Sequence, residues 1–221
     1  MVKPEHRGQG IGRRLWQHAL KTLSGVQCIG LEAAVQMVGF YERAGFQKDC
    51  ITTRRQMLFR SEATLDLSPS QRSDVAVVPL REVSLEAIQR YDERHEISPR
   101  PHFLELWLRH RAGDVFAARD AEGECHGYVR IRPCLLPIGE GWRVGPWLAE
   151  DPGMASLLLN NALDHHNGVV LIDTPGHNPS AKTILSARGF KPMTSTVRMY
   201  KGVIPRGHDR NVYGLACLEL G

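Results

Sequence analysis

Hydrophobic and polar positions at the start of the chain predict a helix, a strand, a short helix and a second strand. Apolar residues recur every three to four positions from Gln9 to Leu23, which is typical of an amphipathic helix. The apolar run Val26–Val35 predicts a buried strand. A short helix through Phe40–Arg43 is closed by Gly45 as a C-cap, and Gln47–Phe59 follows as extended chain.

A polar, serine-rich segment, residues 61–73, separates this pattern from the rest of the chain and predicts an exposed linker. Pro99 and Pro101 are expected to act as breakers between the first two helices after it. The later helices are predicted over Leu85–Glu93, Phe103–Arg111, Gly153–His165 and Pro179–Ala187. The later strands are predicted over Val75–Val78, Asp114–Arg119, His126–Arg132, Trp142–Ala149, Val169–Asp173, Thr194–Tyr200 and Val212–Leu220.

The second half of the chain repeats the first. Gly10 and Gly45 are 35 positions apart, and Gly153 and Gly189 are 36 positions apart. Each interval holds a helix, an apolar strand, a short helix and a Gly-Phe pair that leads into a strand. The matching order predicts two copies of one fold unit, with domain boundaries at 1–60 and 74–221.

Composition narrows the class of protein. The chain has 221 residues and a formal net charge of +4, and it shows neither a long apolar run nor a secretory signal, so a cytoplasmic protein is expected. Five scattered cysteines without a CxxC spacing predict reduced, mostly buried thiols and no metal site. Basic clusters such as Arg13-Arg14 suit a small polyanion better than a long nucleic acid.

The segment Arg7–Arg14 carries the strongest chemical signal. Its glycines allow close backbone approach, and the helix that follows presents unpaired N–H groups, so the turn can hold a pyrophosphate. The alternative is a glycine-rich helix start without a ligand. A Rossmann fingerprint or a P-loop is excluded, since the segment reads Arg-x-x-Gly-x-Gly.

This motif, with the helix, the apolar strand and the run Phe40–Phe46 after it, resembles the acetyl-CoA-binding half of the GNAT N-acetyltransferase superfamily. The resemblance implies a mixed, mostly antiparallel α/β sheet flanked by helices, and acetyl-CoA as co-substrate. It also implies that backbone N–H groups of the loop bind the CoA pyrophosphate. The residues that carry this role are Arg7, Gly8, Gln9, Gly10, Ile11, Gly12 and Arg13.

The same resemblance implies that Tyr41 is the general acid that protonates the departing CoA thiolate. The alternative for Tyr41 is a half-buried aromatic residue whose hydroxyl bonds to backbone. Residues 75–221 resemble the C-terminal domain of tandem acetyltransferases of the YitH/HolE type. The segments that carry this likeness are Arg100–Leu108, Val144–Ala149, Arg198–Gly202 and the C-terminal Tyr213–Gly221.

Both copies depart from the family pattern. The first begins at its phosphate loop, so the elements that normally precede it are missing and leave a sheet edge that the second domain or a homodimer partner is expected to cover; the alternative is that Met1 is internal to a longer protein. The second has Glu150-Asp151 at the loop position, where two carboxylates repel a pyrophosphate, and Leu185 at the position of Tyr41. It retains Asn178, an asparagine common in the family, where the first copy has Ala34.

Several other residues are expected to have structural roles and not functional ones. His165-His166 is expected to interact with a helix C-terminus and not with a metal ion. The acidic and histidine positions before Pro99 could bind or deprotonate an amine, although a solvated helix end is the expectation. These positions are Asp92, Glu93, His95 and Glu96. The tryptophans Trp107, Trp142 and Trp147 are expected to build core.

The sequence therefore predicts an N-acetyltransferase that moves an acetyl group from acetyl-CoA to a primary amine of a small molecule or protein. An oxyanion would be stabilised by amide N–H groups beside the thioester. A non-catalytic acyl-CoA-binding or regulatory module is the alternative. Nucleic-acid binding is disfavoured, because basic and aromatic residues are not interleaved on one element.

Overall fold

A computed structural model of the protein describes residues 2–59, 74–137, 139–204 and 209–218. These ranges contain six α-helices and nine β-strands. The helices are α1 (Ile11–Thr22), α2 (Val38–Arg43), α3 (Leu85–His95), α4 (Pro101–Leu108), α5 (Pro152–Leu163) and α6 (Pro179–Ala187). The strands are β1 (Cys28–Ala34), β2 (Gln47–Phe59), β3 (Ala76–Pro79), β4 (Asp114–Arg119), β5 (Cys125–Leu136), β6 (Gly139–Ala149), β7 (Gly168–Thr174), β8 (Lys191–Gly202) and β9 (Val212–Gly214).

Several predicted boundaries are wrong, among them both ends of α4 and the end of the last strand. Pro101 does not break the chain between helices but occupies the first turn of α4, where its missing N–H costs nothing. The helix consequently begins two residues before Phe103 and ends at Leu108. The last strand ends at Gly214, whereas the sequence pattern extended it to Leu220.

The strands form one mixed sheet in the order β1-β8-β2-β7-β6-β5-β4-β3, with β9 paired to β6. Every pair is antiparallel except β6 and β7. The predicted fold class is confirmed. The pairing also shows that β8, from the second half of the chain, lies between β1 and β2 of the first half.

This interleaving changes how the two predicted copies relate to each other. The N-terminal strands are integral parts of one sheet, so the division at 1–60 and 74–221 stays a prediction about fold units. The predicted linker, 61–73, lies outside the described residues. Within those residues, β8 is the only strand paired with β1, which leaves the outer edge of β1 unpaired. Coverage of that edge by a homodimer partner stays a prediction.

Helices cover the two faces of the sheet unequally. One apolar cluster joins α5 and α6 to the central strands, and a second packs α1 and α2 on the same face of β1 and β8. A third cluster packs α3 and α4 on the opposite face, over β4 and β5. On that opposite face, β1, β8 and β2 form the floor of a cavity. None of the helices in the described ranges is both long and apolar enough to cross a membrane.

Candidate active site

The N-terminal glycine-rich loop has the backbone shape that an anion site needs. Gly8 and Gly10 have φ of 80° and 74°, a left-handed conformation that favours glycine. Gly10 is the N-cap of α1, and the first helical bond runs from the Arg14 N–H to the Gly10 carbonyl. By helix geometry the amide groups of residues 11–13 have no acceptor inside the helix. They are therefore available to a ligand.

Side chains of the loop fold back and leave this end of α1 open. Arg7 donates from Nε to the Val2 carbonyl at 3.3 Å, and Gln9 donates to the Glu5 carbonyl at 3.5 Å. A Cβ added at Gly8 or Gly10 would meet no atom within 4 Å. Residues 7–10 and 12–13 are exposed and Ile11 is half-buried. The loop is thus preshaped and open to solvent.

Tyr41 lies on α2 within an aromatic cluster. Its ring is half-buried and makes edge contacts with Trp16 and Phe46, with centroids 5.5 and 6.0 Å apart, and it also contacts Phe40. This position fits the aromatic packing alternative. Its role as general acid stays a prediction, because the contacts around the ring do not include a reacting group.

A polar cavity of about 120 Å³ lies on the other face of the same strands. Its floor includes Glu32 of β1, Thr52 of β2 and Arg198 with Tyr200 of β8, and its roof comes from the segment between α3 and α4. This floor forms because β8 pairs with β1, which places Arg198 directly opposite Glu32. Residues distant in sequence therefore share one cavity.

Glu32 is a carboxyl group buried in this cavity. Its side chain is only 5 % exposed, and it accepts hydrogen bonds from the hydroxyls of Thr52 (2.8 Å) and Thr196 (2.7 Å). Arg198 lies 3.8 Å away and donates from Nε to the Tyr200 hydroxyl. Burial raises the pKa of Glu32 above its ordinary value, against the opposing effect of the two hydroxyls. A carboxyl of this kind can accept and return a proton.

A solvated helix end is expected from the sequence at the position of the cavity roof, and this expectation is wrong for two of the residues. Asp92 is buried and pairs with Arg100 at 2.8 Å, and Glu96 pairs with the same guanidinium at 2.6 Å. Tyr128 also donates to Asp92. Burial raises the pKa of Glu96, which lines the cavity. Of the four positions named from the sequence, Glu93 is exposed as expected, while Asp92 and Glu96 are not.

The counterpart of the glycine-rich loop in the second half is occupied by the protein itself. Asp151 is the N-cap of α5, and its carboxylate accepts the Met154 N–H at 2.9 Å. Its neighbour Glu150 contacts His126 at 2.8 Å. Carboxylates therefore stand at the helix start where a pyrophosphate would bind.

β9 fills the gap where β6 and β7 separate. These two strands pair at residues 142–144 with 170–172, after which β9 pairs with Trp147 and Leu148 of β6. The Leu215 N–H donates to the Asp173 carbonyl of β7 at 2.9 Å. Asn178, buried at the start of α6, donates to the carbonyls of Arg210 and Val212 and holds β9 in place. The family asparagine thus has a structural role in this protein.

The histidine pair also differs from its expectation. His166 is mostly buried, contacts Asp114 at 3.0 Å and stacks on Trp142, whereas His165 is exposed. The pair connects β4 to the end of α5 instead of only facing the helix terminus. Trp147 is fully buried, as expected for core, while Trp107 is half-buried beneath two arginines.

Sequence reasoning missed Glu32 and the cavity around it. The available signal was that Glu32 is the only charged residue in the mostly apolar run 26–35. Its partners Thr196 and Arg198 are more than 160 positions away along the chain, so only the fold brings them to it. Among the described thiols, Cys125 and Cys217 are buried and Cys28, Cys50 and Cys134 are intermediate, so the expectation of mostly buried thiols is only partly met.

Comparison with known proteins defines the class. One acetyltransferase (GNAT) domain model matches residues 88–214, and a second GNAT model matches residues 1–48. The first match covers more than half of the chain, so the protein belongs to the GNAT acetyltransferase family. The two matches fall in the two halves that the internal repeat separates.

Individual relatives agree with this class. Holothin acyltransferase of Pseudoalteromonas sp. (strain SANK 73390) is 26% identical over 223 residues, which cover 100% of this chain and 71% of that protein. Peptidyl-lysine N-acetyltransferase YjaB of Salmonella typhimurium is 44% identical over 46 residues, or 21% of this chain and 32% of that protein.

Solved structures share the fold. A candidate acetyltransferase from Pyrococcus horikoshii superposes with a TM-score of 0.76 at 22% identity, covering 100% of this chain and 69% of that one. A tandem GNAT protein from the clavulanic acid biosynthesis pathway superposes with a TM-score of 0.58 at 17% identity, covering 94% and 74%. At these identities the likeness shows the fold alone.

Proposed function

We propose that the protein is an N-acetyltransferase that moves the acetyl group of acetyl-CoA to a primary amine. Acyltransferase relatives support the reaction class. The observation that carries the acceptor assignment is the buried Glu32 carboxyl in a cavity that also holds acidic Asp49 and Glu96. Arg100 and Arg198 also line the cavity and pair with Glu96 and Glu32, so the amine assignment depends on the ability of the Glu32 carboxyl to accept a proton and not on an excess of negative charge.

The N-terminal loop is the proposed binding site for the CoA pyrophosphate. Residues 23–27 reverse the chain between α1 and β1, so the start of α1 lies toward the same end of the sheet as the end of β1. Glu32 is two residues before that end. A pantetheine arm that starts at the loop and follows the outer edge of β1, to which no strand pairs within the described residues, would bring the thioester toward Glu32.

An apolar groove supports this path. It is lined by Val35, Val38, Ile51 and Val197, and it shares Asp49 and Cys50 with the polar cavity. The groove suits an acyl chain and the cavity suits an amine. The groove lies on the α1–α2 face of the sheet and the cavity on the opposite face, so the two reactants would meet at the border that Asp49 and Cys50 form beside the end of β1.

The reaction needs one proton acceptor and one proton donor. The neutral amine attacks the thioester carbonyl, a C–N bond forms, the C–S bond breaks, and CoA departs as a thiolate. Glu32 accepts the proton from the amine, and its raised pKa brings it closer to the working pH. The thiolate is protonated by Tyr41 in the sequence-based assignment, or by solvent.

Thiol release from acetyl-CoA tests this proposal. We expect release with a panel of primary amines and a product heavier by one acetyl group, and no release with matched tertiary amines. Binding of acetyl-CoA without turnover on any amine would instead support the non-catalytic module. Absence of acetyl-CoA binding would contradict both.

A further inference from the structure

A β-bulge in β2 brings two chemically reactive side chains to one place. Lys48 pairs with Met199 and Ile51 pairs with Val197, so Asp49 and Cys50 together oppose a single residue of β8. A bulge interrupts the strict alternation of side chains along a strand. Both residues accordingly line the polar cavity at its border with the apolar groove.

A loop from the second half of the chain adds a third group. His177 follows β7 and contacts Asp49, with Nε2 2.8 Å from Oδ2. Gly176 makes this approach possible: a Cβ there would lie 2.7 Å from the Ile51 carbonyl oxygen and 3.4 Å from the Cys50 Cβ. The loop is therefore pressed directly against the bulge, which fixes His177 beside Asp49 and Cys50.

The three side chains offer a thiol sulfur, an imidazole nitrogen and a carboxylate oxygen. One such atom from each residue lies within 4.8 Å of the other two. Ligands around a tetrahedral zinc ion are closer than this, since metal–ligand bonds are about 2.0–2.3 Å long, so small side-chain rotations would complete the site. This mixture of donors suits a borderline-soft divalent ion and disfavours Mg²⁺ or Ca²⁺.

We propose that Asp49, Cys50 and His177 bind a Zn²⁺-class divalent metal ion. Three protein ligands leave a fourth coordination position, as in zinc sites that accept an exogenous ligand. The same three residues line the cavity, so that position would face its interior. The Arg198 guanidinium, which also lines the cavity, is engaged by Glu32 and Tyr200.

Cobalt substitution in the untagged full chain tests this site without reference to acetyl transfer. Titration with Co²⁺ should give one equivalent of bound metal and a thiolate-to-cobalt charge-transfer absorption. Zn²⁺ should displace it, because zinc commonly occupies the same mixed-donor sites. Bound Zn²⁺ should also slow alkylation of Cys50, measured by peptide mass spectrometry.

Matched variants separate the three ligands from other thiols and imidazoles. Cys50→Ser should remove the charge-transfer band, and His177→Gln should weaken metal binding by more than about tenfold. Cys28→Ser and His165→Gln change the same residue types elsewhere and should bind as the parent does. Circular dichroism confirms that each variant is folded.

Two results would overturn the proposal. One is the absence of stoichiometric Co²⁺ or Zn²⁺ binding by the parent chain. The other is binding that both Cys50→Ser and His177→Gln retain at the parent affinity. Neither result bears on acetyl transfer, so the metal site and the proposed enzymatic function fail independently.

Discussion

The helix starts of α1 and α5 occupy equivalent places in the two halves of the chain but present opposite surfaces to an anion. At α1, left-handed glycines leave the first amide groups open to solvent. At α5, Asp151 already accepts one of those amides, and Glu150 adds a second carboxylate. The start of α1 therefore leaves amides available to an anion, whereas the start of α5 already holds a carboxylate.

The two halves also differ in their strands, because only the second half contains β9. It fills the gap between β6 and β7 in the second half, whereas the outer edge of β1 in the first half is unpaired within the described residues. The second half instead supplies β8 and the α3–α4 segment to the polar cavity. We infer that the first half binds the coenzyme and that both halves build the acceptor site.

The largest effect is expected from Gly10→Glu, which would place a carboxylate at the start of α1, as Asp151 does at the start of α5. A carboxylate about 4 Å from a pyrophosphate charge costs about 4 kcal/mol at an intermediate dielectric, or about a thousandfold in affinity. Calorimetric titration with acetyl-CoA measures this loss.

Gly123→Glu is the matched control for that variant. Gly123 also has a positive φ (86°) and open surroundings, so it introduces the same charge and a similar backbone strain at a turn in the second half. Its acetyl-CoA affinity should equal that of the parent. Equal loss in both variants would mean that strain, and not the phosphate site, is responsible.

Arg100→Met tests the structural contribution of the second half. It leaves Asp92 buried without its cationic partner, which should destabilise the protein by about 3 kcal/mol or more. Arg109→Met breaks an exposed pair with Glu105 and should cost less than about 1 kcal/mol. Urea unfolding midpoints of the two variants give the comparison; similar midpoints would contradict the role assigned to the buried pair.

Glu32→Gln tests whether the cavity performs chemistry. Loss of the proton acceptor should lower kcat about a hundredfold, while acetyl-CoA affinity stays within about twofold, because the loop is unchanged. Glu42→Gln, at an exposed site on α2, should leave both quantities unchanged. Steady-state kinetics and calorimetry together distinguish a lost proton acceptor from lost binding. An unchanged kcat in Glu32→Gln would remove Glu32 from the mechanism.

The smallest effect concerns pH and stability. Burial raises the pKa of Glu32 in the folded state, so the folded protein holds this proton more tightly than the unfolded chain does. The resulting stabilisation is complete below the ordinary pKa of a glutamate and is lost as pH rises through the raised value. Chemical unfolding across this range should show a shallower decline for Glu32→Gln; identical slopes would contradict the raised pKa.

Local sequence patterns predicted the helices and strands because those elements depend on neighbouring residues. The rhythm of apolar positions after Gln9 and the matched Gly-Phe pairs were sufficient for α1 and for the repeat. The insertion of β8 between β1 and β2 could not be predicted in this way. It depends on pairs such as Glu32 and Arg198, which lie far apart in the sequence, so no local pattern links them.

The candidate site could also be predicted only in part from the sequence. The glycine-rich loop is contiguous, so its shape follows from the sequence, while its binding of acetyl-CoA stays a prediction. The sequence pattern predicted a solvated helix end at Asp92 and Glu96, because their partner Arg100 lies in the next segment, beyond a proline. Asp49 and His177 are 128 positions apart, so a spacing rule that seeks neighbouring cysteines and histidines predicts no metal site there.

Hydrogen–deuterium exchange with and without acetyl-CoA tests most directly that only one helix start binds the coenzyme. We expect acetyl-CoA to slow exchange at the amides of residues 8–14 and to leave those of residues 151–155 unchanged. Protection at residues 151–155, or none at residues 8–14, would contradict the assignment of the coenzyme to the first half of the chain.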